Sequence, residues 1–309
     1  MIDTLHSKRL RPAPVSGASL VLLIVLFLHL ARRAPAEARA QRDSAPLPAA
    51  AQALQLPTSS NGATTVILHR QYLPVGGALP SLAPTCPTIS AAQFPVMAPR
   101  LSYITDAEGS PDLNLSLRGW YHVAEPLHFV TYAGPEPPDR QHPLLLSNIV
   151  PGSTEASFVA TYQVNEWDWL GCNCPVPRSR TPYPVTMLGL VSSPGQPVYI
   201  AARDLPVSPA GMTAMVIYAD ANQLALTYTS EDRVDTGYMV HLVNICVDPN
   251  LVALYRRLDS EGRHQLPAAY NNTVVGTALD SEVDVVVRDT GSFLDPRSGL
   301  DWWSDQVPP

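Results

Sequence analysis

Apolar and polar residues alternate through "DLNLSLRGWYHV", with Leu113, Leu115 and Leu117 set against Asn114, Ser116 and Arg118. A period of two predicts a half-buried β-strand, because successive side chains of an extended chain point to opposite faces. The runs "PLHFVTYAG", "HPLLLSNIV" and "ASFVATYQVNEWDW" follow, separated by Pro, Gly, Ser or Asp, and predict further short strands of an antiparallel sheet or sandwich. In the second half "QPVYIAA", "TAMVIYAD", "QLALTYTS", "GYMVHLVNICV", "TVVGTAL" and "EVDVVVRD" read as strands. "DPNLVALYRRLDSEG" breaks the series and predicts a helix: Asp248 caps it and Pro249 opens it. Leu251, Leu254, Tyr255 and Leu258 form its apolar stripe, and Gly262 stops it. The pattern therefore predicts a mainly β protein: an N-terminal antiparallel β domain over residues 96–180, then a small antiparallel β domain with one short helix over 181–303.

The amino terminus follows a different logic. Lys8, Arg9 and Arg11 precede the apolar run "VSGASLVLLIVLFLHLA", whose uninterrupted part, Leu20 to Leu28, is too short to cross about 30 Å of hydrocarbon at about 1.5 Å per residue. "ARA" before Gln41 offers a small-x-small cleavage site, so residues 1–40 read as a signal peptide; Arg32 and Arg33, directly after the run, fit an uncleaved N-terminal anchor instead. Both readings place the body outside the cytoplasm, secreted or held to the membrane by this segment alone. Residues 41–95 form an Ala/Pro-rich linker and irregular segment, within which "TTVILHRQYLPV" reads as a first strand.

Charge narrows the partners. The formal net charge is −7, and Lys8, Arg9, Arg11, Arg32, Arg33 and Arg39 outweigh Asp3 and Glu37 in the leader, so the body is more acidic still. It lacks the cationic footprint that displaces counterions from phosphates, which excludes nucleic acid. The four cysteines, Cys86, Cys172, Cys174 and Cys246, lack the compact spacing of a zinc site and read as two disulfides of an oxidising compartment. Three pairings are open. We expect one of Cys172 and Cys174 to tie back to Cys86 and the other to reach Cys246.

Candidate chemistry is sparse. Trp167 and Trp169, two apart on an extended strand, share a face and could bind a sugar or peptide or pack inward. Trp302 and Trp303 point to opposite faces if extended, one burying and one facing outward. His122 and His128 have no ligands at metal spacing. Glu231, Asp232, Asp235, Asp220, Glu282 and Asp284 could supply a carboxylate pair for glycoside hydrolysis or calcium, although acidic turns are usually solvated. His241 with Asp232 and Ser230 would make a triad only without the usual nucleophile elbow; a sheet histidine is the default.

From about residue 185 to 296 the chain resembles the lysostaphin-type, or LytM-like, zinc endopeptidases. "MLGLVSSPGQPVYIAA" matches that family's opening element at Gly189 and through "PGQPVY", "YRRL" matches its Y-x-H-L element, and "EVDVVVRDTGSFLDP" matches its closing strand at Arg288, Asp289, Gly291, Asp295 and Pro296. Carried over, the metal-site positions become Met187, Val191, Arg257, Glu282 and Asp284, a degenerate set that cannot supply the three or so donors a catalytic zinc needs. The resemblance implies a LytM-like second domain that keeps the backbone residues Gly195, Pro197 and Gly291 without metal, cofactor or catalysis. It implies a non-catalytic binding or structural module contacting peptidoglycan or a cell-envelope protein; the alternative is a divergent cell-wall or glycan hydrolase with a relocated carboxylate site.

Overall fold

The structure, a computed structural model, describes residues 86–89, 93–131, 142–179 and 182–307. The expected leader, the linker as far as residue 85 and the strand within it lie outside the described residues. Among those described, the strands are β1 (Val96–Met97), β2 (Trp120–His122), β3 (Phe158–Val164), β4 (Glu166–Asp168), β5 (Cys174–Val176), β6 (Met187–Val191), β7 (Pro197–Tyr199) and β8 (Ala214–Ala219). They continue with β9 (Gln223–Thr227), β10 (Tyr238–Val243), β11 (Ile245–Val247), β12 (Leu266–Ala269), β13 (Val274–Ala278), β14 (Glu282–Asp289) and β15 (Ser292–Leu294). The helices are α1 (Leu115–Arg118), α2 (Pro249–Ser260) and α3 (Gly299–Trp302).

The fold is mainly β and its sheets are antiparallel. One sheet runs β1-β12-β8-β9-β10-β14-β6-β3-β2, with β15 folded back on β14; β11-β13-β7 form a second sheet and β4-β5 a hairpin. The boundary expected near residue 180 does not interrupt the large sheet: β3 pairs with β6 across it, and β1 pairs with β12.

Alternation on β14 organises the interior. Val283, Val285 and Val287 enter the main core with Leu188, Leu190, Leu224, Leu226, Val240 and Leu242, whereas Val286 joins a smaller cluster of Leu115, Val164, Met187, Val243 and Phe293 on the other face. Glu282, Asp284 and Arg288 share that second face by the same period of two. Arg288 and Arg118 lie over the Phe293 ring and both donate to Asp112. Helix α2 forms where expected: the Asp248 carboxylate accepts from the Asn250 N–H at 2.7 Å and from the Ile89 N–H at 2.8 Å, and Leu251, Tyr255 and Leu258 are buried.

Several local readings are corrected. "DLNLSLRG" is not a strand; Asn114 accepts from the Ser116 N–H and starts α1, and Gly119, at φ 63°, ends it. Leu113 and Leu115 bury as an extended chain would have them do, so the alternation could not separate one helical turn from a strand. "HPLLLSNIV" forms a 3-10 turn at Leu146–Asn148 instead of a strand. Trp302 and Trp303 do not split between faces: Trp302 ends α3 and Trp303 caps it, both are buried, and their indole N–H groups donate to Asp295 O and Pro296 O. The cysteine pairing also differs, since Cys86 bonds to Cys246 and Cys172 to Cys174. The turn between β4 and β5 brings Cys172 and Cys174 within 5.2 Å, Cα to Cα, which is ordinary disulfide reach.

Candidate functional site

Four of the five positions singled out by the resemblance lie on one face of two neighbouring strands. In the β14–β6 ladder Glu282 faces Val191 and Asp284 faces Gly189; Met187, two residues before Gly189, faces Tyr162 of β3. Directly opposed residues share a face in an antiparallel pair. Arg257 is elsewhere: it lies exposed on α2, bonded to Glu261, and α2 packs on β8 and β12 in the opposite wing of the sheet.

The centre of the face is a carboxyl pair. Asp284 is buried, with 6% of its surface exposed, its Oδ1 has no hydrogen-bond partner among the described residues, and Glu282 lies two residues away on the same face of β14. Burial first, then the charge of Glu282 and the interaction of the two side chains, push the Asp284 carboxyl well above its ordinary range, which favours its protonated form. The phenol of Tyr162 donates to Glu282 Oε1 at 3.0 Å. Burial first, then the charges of Asp284 and Glu282, raise that phenol too, so it stays a donor.

Gly189 makes the arrangement possible. A Cβ there would stand 2.7 Å from Glu282 Cδ and 3.1 Å from Ala160 Cβ, so the glycine leaves the space into which the Glu282 carboxyl folds. Asn244 fixes the start of β14 by donating its side-chain N–H to Glu282 O at 2.7 Å.

Two shallow grooves open on residues of the neighbouring strands β3 and β6. One, of about 420 Å³, is lined by His122, Leu127, Val159 and Ala160 among others, and His122 meets the Tyr162 ring edge-on at 5.7 Å. The other, of about 160 Å³, is lined by Ser153, Ser157, Val191, Ser192 and Gln196. Val191, 46% exposed, lies directly across from Glu282.

The groups present limit the chemistry. The side chains on this face are two carboxyls and a phenol, not the imidazoles and thiolates that zinc favours. No group of three or more His, Cys, Asp or Glu among the described residues could hold a metal ion.

The other acidic candidates are committed elsewhere. Arg263 and Ser102 occupy both Asp232 oxygens, which rules out the triad, and the Glu231 carboxylate takes Arg100 and the Asp235 carboxylate Arg233. Asp220 accepts from Asn222 and Gln223 in its turn. His241 is fully buried, and burial with the Arg288 and Arg118 charges holds its pKa well below the ordinary imidazole value. Trp167 and Trp169 lie 6.1 Å apart, ring centre to ring centre, on the β4–β5 hairpin.

Sequence reasoning missed Tyr162, which is 120 residues from Glu282 along the chain; its alternation in "FVATYQV" marked it as strand, but nothing local named its partner.

Compared with known proteins, the chain matches no family model, no curated protein and no solved structure. The LytM-like resemblance therefore rests on the quoted residues.

Proposed function

We propose that this protein is an extracytoplasmic binding module without catalytic action, exported or anchored by residues 1–40, that holds peptidoglycan or a cell-envelope protein through the face of β6 and β14. The observation that carries the reading is the placement of Glu282, bonded to the Tyr162 phenol, and buried Asp284 on one face beside β6, with grooves opening on the neighbouring β3 and β6 residues. A half-buried carboxyl held at a fixed point reads hydrogen-bond donors, so the ligand presents an amide or amine N–H to Glu282, while Val191 and the Ser192 segment on one side and Ala160 and His122 on the other cover its length. Stem peptides of cell-wall polymer carry such groups. Two disulfides support residence in an oxidising compartment.

The elevated Asp284 carboxyl favours a second reading, since displaced acids cluster at catalytic sites. Its burial argues for the first: a general acid must reach the proton acceptor of its substrate. Cosedimentation with isolated peptidoglycan separates the two. The binding reading expects saturable retention weakened by Glu282→Gln, with no soluble fragments released. Fragment release lost in Asp284→Asn would establish the hydrolase, and absence of retention in the wild type would remove the binding reading.

A further inference from the structure

The β4–β5 hairpin ends in an apolar apex that nothing in the binding reading uses. Trp169 is 57% exposed and Leu170, next to it, 101% exposed. Single exposed apolar residues are ordinary, but this pair occupies a turn built to keep its shape. The Asp168 carboxylate accepts the backbone N–H groups of Leu170, Gly171 and Cys172 at 3.2, 2.7 and 3.2 Å, and those bonds hold its pKa below the usual range. The Cys172–Cys174 disulfide closes the turn, and Trp167 donates its indole N–H to Asn173 Oδ1 at 2.9 Å. An apex clamped three ways loses little conformational freedom on contact.

The geometry selects among occupants. A sugar ring wants a flat aromatic face beside free hydrogen-bonding groups. Here the two indoles are tilted by 56°, and the Trp167 N–H, the Asn173 Oδ1 and the Asp168 carboxylate are already engaged. What remains outward is one aliphatic side chain and one indole, the combination that settles where hydrocarbon meets headgroups. On the anchor reading of residues 1–40, on which this inference rests, the apolar run Leu20 to Leu28 and the Ala/Pro linker that follows hold the body at such a surface. One weak membrane signal gives marginal attachment, and a second makes it stable.

We propose that the β4–β5 apex is a shallow membrane-interface contact, with Trp169 and Leu170 entering the headgroup region of a phospholipid leaflet. The body being acidic, the contact needs no anionic lipid. It is independent of the carboxyl pair.

The test uses the full chain with phosphatidylcholine vesicles whose acyl chains carry bromine close to the headgroup. Residues 1–85 contain no tryptophan, so emission reports the body whatever the leader does, and Trp302 and Trp303 are buried. Wild-type emission shifts to the blue and is quenched; Trp169→Phe loses most of the quenchable emission and Leu170→Ser weakens the shift. Both positions are exposed, so both variants fold. Equal quenching in wild type and Trp169→Phe, no quenching at all, or a shift produced by peptidoglycan fragments and not by vesicles would each overturn the proposal.

Discussion

Replacing Asp284 by Asn keeps the shape of the side chain and a donor toward Glu282 while removing the titration. In the wild type the folded chain holds a proton on Asp284 at pH values where the unfolded chain has released it, because the unfolded carboxyl titrates near 3.8 and the folded one well above. Within that window the folded state binds one more proton, so stability falls as pH rises, by about 1.4 kcal/mol per pH unit for a single proton. Below about pH 3 both states are protonated and the full stability is present; above the elevated folded value the loss is complete and the curve levels. Asp284→Asn lacks this component. Subtracting the two proteins cancels the titrations they share. Urea denaturation between pH 3 and pH 8, with the slope in denaturant checked for constancy, measures the difference. The variant should match the wild type at the acid end to within about 1 kcal/mol and gain on it steadily from about pH 4 upward. A difference that stays flat across that range, or moves against the variant with rising pH, would refute a proton-bearing Asp284.

Three further outcomes follow from the packing. Gly189→Ala pushes the Glu282 carboxyl out of its place; because that carboxyl ends a flexible chain the fold survives, at a cost of about 1–3 kcal/mol in thermal or urea unfolding. Arg263→Met leaves the fully buried Asp232 without its guanidinium and lowers stability by about 3–5 kcal/mol in the same assay; a loss under 1 kcal/mol would mean the bridge holds little. Cys86 and Cys246 are 160 residues apart, so changing both to Ser costs about 2–4 kcal/mol, whereas the same change at Cys172 and Cys174, two apart, costs about 1–2 kcal/mol, an ordering that calorimetry of the two double variants checks.

What the sequence disclosed depended on how local the cause was. Helix α2 was legible because its cap, Asp248, and its stop, Gly262, lie within the segment they govern. The alternation of β14 gave a strand and its two faces, and Glu282 and Asp284, two apart, had to share one of them. Pairing was not legible. Whether β14 lies beside β6 and β10, and whether Tyr162 reaches Glu282, depends on contacts between distant segments that no local period encodes. The same limit explains the cysteines, whose partners were decided by the turn at Asn173 and by the approach of Cys86 to β11. Asn114 shows the converse failure: a local cap overrode an alternation that both conformations satisfy.

The central claim is that Asp284, buried on the face shared by β6 and β14, keeps its proton well above the ordinary aspartate range and takes up no zinc. Carboxyl-carbon NMR of Asp284, followed through a pH titration with and without added zinc, tests it most directly. The account predicts a protonated carboxyl that persists well above the ordinary aspartate range and a resonance that zinc leaves in place. An Asp284 ionised in the ordinary range, or one that zinc shifts together with Glu282, would contradict it.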